Sequence, residues 1–235
     1  MTIQISQPIK SHFYGAIENK SVNYVTVAAN DTMNYKYKGI PVLFQQVLTL
    51  FVLLIISPLL LMVIFLIKTE SKGSALFSQT RVGENGRHFK MYKFRSMYLK
   101  TDPRYKEPDP QESSREGVCK KYINDPRITK FGELIRKYSI DEIPQLFNIV
   151  KGDMCLVGPR PALSIETYEY DNLVQPRLFT KPGLTGLWQI SGRADTNFAE
   201  QLQLDKSYIC QQSIWFDCKI IALTIPAVLS AKGAY

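Results

Sequence analysis

The sequence has few cysteines and few histidines. Its 235 residues include four cysteines and two histidines, and the cysteines show neither C-x-x-C spacing nor paired clusters. Zinc sites and disulfide frameworks depend on such spacing. The sequence therefore predicts neither, and it favours buried or neutral thiols in a reducing compartment. The cysteines are Cys119, Cys155, Cys210 and Cys218.

Acidic residues and long apolar runs are also scarce. There are 21 acidic against 29 basic residues, which gives a formal net charge of +8, and one apolar run stands out at 50–67, where 16 of 18 residues are apolar. This composition excludes a collagen, a disordered acidic tail, a disulfide-stapled mini-protein and a multi-span transporter. We expect a membrane-associated protein whose basic, more polar part works outside the bilayer.

The apolar run is long enough to cross a bilayer once, because residues 47–67 make a straight helix of about 31 Å. Two features argue against a simple span. Ser57-Pro58 lies near the middle, where proline bends a helix, and cations flank both ends although positive charge favours the cytoplasmic side. The residues alone leave a single span and a hairpin broken at Ser57-Pro58 equally open. The flanking cations are Lys20, Lys36 and Lys38 before the run and Lys68, Lys72, Arg81 and Arg87 after it.

Several connecting segments can be predicted from composition. Two β-rich segments, 75–82 and 87–94, flank Glu84-Asn85-Gly86, and Asn-Gly between such segments predicts a β-hairpin. Segment 99–126 is rich in proline, serine and charge, which predicts a long surface loop, either a mobile lid or a solvated insertion. Residues 1–39 are polar without periodicity and predict a poorly ordered tail. The Gly-rich segment 181–193 predicts a further loop.

The second half of the chain is mainly helical in pattern. From residue 131 one helix runs to an interruption at 139–144, and another follows. Pro144 fits the first turn of this second helix, with Ser139 or Asp141 as its cap and Gly152 at its end.

The C-terminal part is predicted to be helical from residue 198. Charged residues within its apolar end favour a helix at the membrane surface or in the core over a second span. The fold class is therefore α+β and mainly helical, with a small β-hairpin.

A basic window between Arg81 and Lys106 is the first candidate site, with a net charge of +6. Such a run is often a solvated or lipid-binding face. However, Lys93 and Arg95 project from one side of a strand and Phe94 from the other. This alternation suits an anchored phosphate site.

Asp141 and Glu142 form the second candidate site. Adjacent carboxylates at a helix start most often complement the helix dipole. Here Arg136 and Arg160 supply cations able to hold phosphates, and a carboxylate among guanidinium groups stays ionised. Such a carboxylate is able to attack phosphorus or to hold Mg²⁺ against phosphate oxygens.

Three longer motifs carry a family resemblance: KFRSM, DPRITKFGELIRKYSIDEIPQLFNIVKGDMCLVGPRP and KPGLTGLWQISGR. Over residues 51–235 the chain resembles the bacterial sugar transferases, the monotopic polyprenyl-phosphate phosphoglycosyl transferases that begin lipid-linked glycan assembly. In that family the Ser-Pro position turns a re-entrant membrane helix back to the cytoplasmic face. The resemblance therefore favours the hairpin at Ser57-Pro58 over the span.

The resemblance implies a two-step exchange. Asp141 matches the family nucleophile, which attacks the β-phosphate of a UDP-sugar, releases UMP and leaves a phosphosugar on the enzyme. Polyprenyl (undecaprenyl) phosphate then takes up the phosphosugar. Glu142 matches the partner carboxylate that binds Mg²⁺, and metal and guanidinium groups would neutralise the two anions that meet. The family's phosphate-binding cations match Lys93, Arg95, Arg136 and Arg160.

The resemblance also implies an organisation, a location and a set of partners. We expect a polar tail at 1–39, a re-entrant membrane helix at 40–67 and a catalytic domain with interfacial amphipathic helices at 68–235. Both termini and the active site would lie on the cytoplasmic side of the bacterial inner membrane. The expected partners are a UDP-hexose, polyprenyl phosphate and inner-membrane lipid, with no nucleic acid and with a homodimer as a further assembly. The C-terminal motifs are closest to the hexose-1-phosphate branch, which favours UDP-galactose or UDP-glucose and a role in exopolysaccharide, capsule or O-antigen-type synthesis.

The chain departs from the family pattern at Gln45, where aspartate is usual, and at Cys155, where serine is typical. The alternative function is a non-enzymatic, single-span scaffold of polysaccharide assembly whose basic face binds lipid. That alternative places the two termini on opposite sides of the membrane.

Overall fold

The structure is a computed structural model that describes residues 37–109, 111, 113, 122, 124–169, 175–192 and 197–230. All of these residues belong to one compact unit, Met33–Tyr235. The expected N-terminal tail falls outside the described residues except for 37–39. Part of the expected 99–126 loop also falls outside them.

Within the described ranges the fold is mainly helical with two small sheets, as the α+β prediction requires. The α-helices are α1 (Val42–Glu70), α2 (Lys130–Lys137), α3 (Gln145–Lys151), α4 (Ser164–Glu169), α5 (Leu187–Ile190), α6 (Phe198–Gln211) and α7 (Ile214–Leu229). The strands are β1 (Leu76–Val82), β2 (His88–Phe94), β3 (Cys155–Val157) and β4 (Gly183–Thr185). Short 3-10 helices cover Glu84–Gly86, Ile140–Glu142 and Gln175–Phe179.

The predicted β-hairpin is confirmed. Strands β1 and β2 pair antiparallel, with Leu76 opposite Phe94 and Val82 opposite His88. The connection contains Asn85 at φ 54° and Gly86 at φ 75°. Both residue types adopt positive φ readily, so the sequence meets the demand of the turn.

The loop expected at 181–193 is instead strand β4 followed by the one-turn helix α5. Strand β4 pairs in parallel with β3, with Cys155 opposite Gly183. A side chain added at Gly158 would stand 2.7 Å from the backbone nitrogen of Gly183. Glycine is therefore required here because two backbone segments approach each other closely, and its presence does not indicate a loop.

Helix α1 remains helical through the expected break at Ser57-Pro58. Proline lacks the N–H that would bond to the carbonyl of Leu54, four residues earlier. The Ser57 hydroxyl donates to that same Leu54 carbonyl oxygen at 2.8 Å. The structure therefore does not confirm the predicted break in the helix, and a bend of α1 at Pro58 stays a prediction.

The two faces of α1 differ in their surroundings. Its buried residues recur at intervals of three, four or seven, so they share one face, and they are Gln45, Thr49, Leu53, Leu60, Val63 and Ile67. The apolar members of this face pack into the main core with residues of β2, α2 and α3, among them Phe94, Ile135 and Ile149. Twelve large apolar residues of α1 are at least 40% exposed: Leu43, Phe44, Val47, Leu48, Leu50, Phe51, Leu54, Ile55, Leu59, Leu61, Met62 and Phe65. Among the described helices, α1 is the one long and apolar enough to cross a membrane.

Helices α6 and α7 confirm the helical prediction for the C-terminal part. Tyr208 of α6 and Ile220 of α7 are fully buried in a cluster that includes Val157 of β3. Trp215 at the start of α7 is 81% exposed, and Ile225 further along is 61% exposed. Helix α7 therefore contributes to the core on one side and presents apolar residues on another.

Candidate active site

Asp141 and Glu142 lie in the 3-10 helix Ile140–Glu142, in the turn between α2 and α3. Ser139 adopts a left-handed conformation with φ 54° and redirects the chain after α2. The N-cap position of α3 is Pro144, which makes no side-chain cap hydrogen bond. The expected cap from Ser139 or Asp141 is therefore wrong, because a separate turn of helix intervenes.

Lys93 of strand β2 contacts both carboxylates. Its Nζ donates to Glu142 Oε1 at 2.5 Å and lies 3.9 Å from Asp141 Oδ2. Phe94, the next residue, is 3% exposed in the core, whereas the side chain of Lys93 is 26% exposed. The alternation along β2 thus directs the Lys93 ammonium to the turn that holds the two carboxylates.

Opposing effects act on the pKa of Asp141. The residue is 7% exposed, and burial raises its pKa, with the negative charge of Glu142 acting in the same direction. The positive charges of Lys93 and Arg136 lower the pKa and limit the rise. The net effect is a raised pKa of Asp141. Because the carboxylate is buried, it is poorly hydrated, and nearby cations stabilise its charged form.

The carboxylates of Asp141 and Glu142 are suitable ligands for an Mg²⁺ ion that also binds the phosphates of a substrate. Within the described residues, no three His, Cys, Asp or Glu side chains cluster to hold a metal ion. Mg²⁺, however, often binds through one or two carboxylates together with substrate phosphates. Glu142 is 35% exposed in its side chain, so a ligand can reach it. Asp141 and Glu142 therefore fit this type of metal site.

Arg136 is placed near the carboxylates, and Arg95 is bound elsewhere. The charge of Arg136 lowers the pKa of Asp141, and its buried Nε has no hydrogen-bond acceptor in the described part of the chain. Arg95 donates from its two terminal nitrogens to the carbonyls of Lys72 at 2.5 Å and Ser71 at 2.7 Å. Arg95 thus joins the end of α1 to the strand β2.

Arg160 belongs to a different group of residues. Its guanidinium carbon lies 5.8 Å from the ring centre of Trp188 on α5. Asp205 on α6 lies close enough to Arg160 that the positive charge of Arg160 lowers the pKa of the Asp205 carboxyl group. A buried ion pair that the sequence analysis missed lies here, in which Arg177 Nε is 2.6 Å from Asp205 Oδ2.

A buried polar cluster fastens the start of α1, and the sequence analysis missed it. We call it the α1 anchor: Tyr37, Gln45, Cys155, Tyr208 and Asp217. Gln45 Nε2 donates to the Tyr37 hydroxyl at 2.9 Å, and Cys155 lies close enough to Tyr37 to raise the pKa of that hydroxyl. Asp217 accepts from the hydroxyl of Tyr208 at 2.8 Å. Gln45 and Cys155, two of the positions at which the chain departs from the family pattern, therefore lie in one cluster.

Two further contacts of the α1 anchor are with backbone groups. Gln45 Oε1 accepts from the backbone N–H of Leu156 at 2.6 Å, and Asp217 Oδ2 accepts from that of Ile40 at 2.9 Å. Burial raises the pKa of the Cys155 thiol, which confirms the neutral thiol expected there. A glutamine next to an apolar run was the one sequence signal for this cluster.

Comparison with known proteins assigns the family. The family model described as "Bacterial sugar transferase" matches residues 37–231. Similar proteins include exopolysaccharide production protein ExoY of Rhizobium meliloti, 43% identical over 78% of this chain and 82% of that protein. The undecaprenyl-phosphate galactose phosphotransferase of Salmonella typhimurium is 42% identical over 82% of this chain and 41% of its own length.

The UDP-glucose:undecaprenyl-phosphate glucose-1-phosphate transferase of Escherichia coli is 36% identical over 80% of this chain and 40% of its own length. This chain thus spans most of ExoY but less than half of the other two relatives. The matched region 37–231 contains the turn with Asp141 and Glu142, the Arg160 segment and both small sheets. The chain therefore belongs to the bacterial sugar transferase family.

Proposed function

We propose that this chain transfers a hexose 1-phosphate from a UDP-hexose to polyprenyl phosphate. An Asp141 carboxylate oxygen attacks the β-phosphorus, the bond from that phosphorus to the bridging oxygen breaks, and UMP leaves with that oxygen. An oxygen of the lipid phosphate then attacks the same phosphorus. The bond to Asp141 breaks, the carboxylate is restored, and polyprenyl diphosphate hexose is released.

The observation that carries this proposal is a buried carboxylate held between two cations. Asp141 is 7% exposed, with Lys93 Nζ 3.9 Å away and Arg136 close enough to lower its pKa. A nucleophile that is poorly hydrated is more reactive, and nearby cations stabilise the charge of the incoming diphosphate. The same cations keep Asp141 ionised before attack.

Glu142 and Lys93 have separate roles in this proposal. Glu142, with Asp141, would hold a Mg²⁺ ion that neutralises phosphate charge when bound. Lys93 hydrogen-bonds Glu142 at 2.5 Å and thereby fixes the orientation of that carboxylate. Arg160 would bind the diphosphate, and the relatives' names favour galactose or glucose as the sugar.

We further propose that α1 enters and leaves the bilayer from the cytoplasmic face, with a bend at Pro58. Both ends of the helix are fastened to the same body, which supports this topology. Near its start, Gln45 accepts from Leu156 N. At its end, Glu70 accepts from Phe131 N at 3.1 Å. A single-span helix would carry one of these ends away from the body.

The exposed apolar surface supports the same membrane position. Twelve large apolar residues of α1 face outward, a surface much larger than soluble proteins leave uncovered. Trp215 at the start of α7 is 81% exposed, and tryptophan is favoured at the membrane interface. We propose that α7 lies along the surface of the cytoplasmic leaflet of the bacterial inner membrane.

The activity can be tested with the full chain purified in detergent. With undecaprenyl phosphate, Mg²⁺ and a panel of UDP-sugars, we expect UMP release with UDP-galactose or UDP-glucose. Without the lipid phosphate, intact-protein mass spectrometry is expected to detect one added hexose phosphate, and Asp141→Asn should abolish it. Absence of UMP with every sugar would overturn the proposed activity.

The topology can be tested in intact cells. Single cysteines replace Ser6 or Ser230 in a chain whose native cysteines are changed to serine, and a membrane-impermeant thiol reagent is applied. We expect neither site to be labelled until the cells are opened. Labelling of one site alone in intact cells would support the single-span scaffold.

A further inference from the structure

Asn148 lies on α3 and is fully buried, with 0% exposure. The helix continues directly from the turn that holds Asp141 and Glu142, because Leu146 N donates to Ile143 O at 2.9 Å. Burial of an amide is unfavourable unless its polar groups are paired. The partners of the Asn148 side chain therefore indicate what this residue does.

Both ends of the Asn148 amide bind the backbone of β2. Its Oδ1 accepts from Tyr92 N at 3.1 Å, and its Nδ2 donates to Lys90 O at 2.7 Å. The amide nitrogen also donates to Asp153 Oδ2 at 3.3 Å. Because this carboxylate oxygen is an acceptor, it fixes which end of the amide faces Lys90. Asn148 therefore bonds to β2 as a peptide group of a neighbouring strand would.

These bonds are made at the edge of β2 that does not face β1. Alternate residues of a strand direct their N–H and C=O groups to opposite edges. Arg95, just after β2, donates its backbone N–H towards β1, to Ala75 O at 2.8 Å. Lys90 and Tyr92 each precede Arg95 by an odd number of residues, so their backbone groups face the other edge. Pairing with β1 thus orders the hairpin itself, and Asn148 attaches the hairpin to α3.

The attachment lies next to the candidate site on both segments. Lys93 follows Tyr92 directly, and Glu142 precedes Asn148 by six residues. Phe94 and Ile149 also pack in one core cluster, but apolar attraction is non-directional. Hydrogen bonds have a defined geometry. The two amide bonds therefore set the position of β2 along α3, and with it the place that the Lys93 side chain can reach.

We propose that Asn148 is a positioning residue that fixes β2 on α3 so that the Lys93 ammonium lies beside Asp141 and Glu142. This inference rests on the proposed function and deepens it. Asn148 is fully buried and does not touch substrate. Its effect on the reaction passes through Lys93.

A double-mutant cycle tests this link, with the full chain in detergent and UMP release as the assay. We expect Asn148→Ala to lower kcat about ten- to a hundredfold, with the KM for the UDP-hexose within about twofold of wild type. In the Lys93→Met background, Asn148→Ala should lower kcat no further, although it should lower the Tm in both backgrounds.

A milder variant keeps the test decisive if Asn148→Ala does not fold. Asn148→Ser leaves a smaller cavity, and its hydroxyl can pair with one of the two β2 backbone groups. We expect it to lower kcat several-fold, and again only when Lys93 is present.

Gln45 provides a matched control, since its amide is also buried and also bonds two backbone groups, Ile40 O and Leu156 N. Gln45→Ala should lower the Tm and leave kcat at the wild-type value. An equal loss of kcat in Gln45→Ala, or multiplicative losses of kcat when Asn148→Ala and Lys93→Met are combined, would overturn this inference alone. A wild-type protein that releases no UMP would instead overturn the proposed function.

Discussion

Lys93 Nζ donates a 2.5 Å hydrogen bond to Glu142 Oε1, and this contact joins residues 49 positions apart. It connects the β-hairpin to the turn that contains Asp141. Because the strand is fixed by its pairing with β1, the ammonium has a defined position beside both carboxylates. The pair therefore controls charge and orientation in the candidate site together.

We expect Asp141→Asn to reduce UMP release by at least about a thousandfold, because an amide cannot replace the attacking carboxylate. The variant should still fold, since asparagine matches the size of aspartate. Steady-state assays and far-UV circular dichroism check the two statements. Glu133→Gln, at an exposed carboxylate on α2, is the matched control and should retain activity. Wild-type turnover in Asp141→Asn would exclude Asp141 as the nucleophile.

Lys93→Met is expected to shift the acidic limb of the pH–activity profile to higher pH. The positive charge of Lys93 lowers the pKa of Asp141, which burial raises, so removing that charge raises the pKa further. The ionised carboxylate is the reactive form, so activity at pH 7 should fall about ten- to a hundredfold. Lys93→Arg serves as the charge-retaining control. An acidic limb at the wild-type pH in Lys93→Met would contradict the electrostatic role.

Ser57→Ala is expected to destabilise the protein by about 1 kcal/mol, because the Leu54 carbonyl loses the donor that replaces the missing N–H of Pro58. Thr69→Ala is the matched control. Thr69 donates to the Leu66 carbonyl at 2.8 Å, but this carbonyl also lies within reach of the backbone N–H of Glu70. Thermal unfolding in detergent compares the two variants, and an equal loss in both would contradict the assignment.

The stability of Asp205→Asn relative to wild type is expected to depend on pH. Burial raises the pKa of Asp205 to about 6, although Arg177 lowers it in part. A carboxyl group whose pKa is higher in the folded chain favours folding when protonated, so its contribution is lost as pH rises from about 4 to about 6. Wild type should lose on the order of 3 kcal/mol relative to Asp205→Asn over this interval. Parallel Tm curves from pH 4 to 7 would contradict the raised pKa.

Features set by neighbouring residues were predictable from the sequence. The hairpin follows from Asn85-Gly86, whose positive φ angles are intrinsic to those residue types. The interruption before Pro144 correctly located the turn that holds Asp141 and Glu142. The helical character of the C-terminal part from residue 198 also followed from local periodicity, whereas the break at 212–213 between α6 and α7 was not predicted.

Features that depend on distant partners were not predictable. Arg95 alternates with Phe94 as expected, but its guanidinium binds the carbonyls at the end of α1, which no local pattern indicates. The parallel pairing of β3 with β4 joins segments 28 residues apart, and Gly183 alone suggests a loop. The hydrogen bond of the Ser57 hydroxyl to the Leu54 carbonyl, within a helix that continues through Pro58, was also not predicted, because the proline alone suggested a break.

Helix α1 serves the membrane and the protein core at once. Leu53, Leu60, Val63 and Ile67 belong to the same core cluster as Ile135 and Ile149. Four buried aliphatic side chains are worth about 6–12 kcal/mol, which is comparable to the whole stability of about 5–15 kcal/mol typical of a domain. A chain truncated to begin at Ala75 would therefore lose most of its folding free energy. Removal of helix α1 would therefore unfold the catalytic part as well. The same residues of the chain provide both membrane attachment and the stability of the fold.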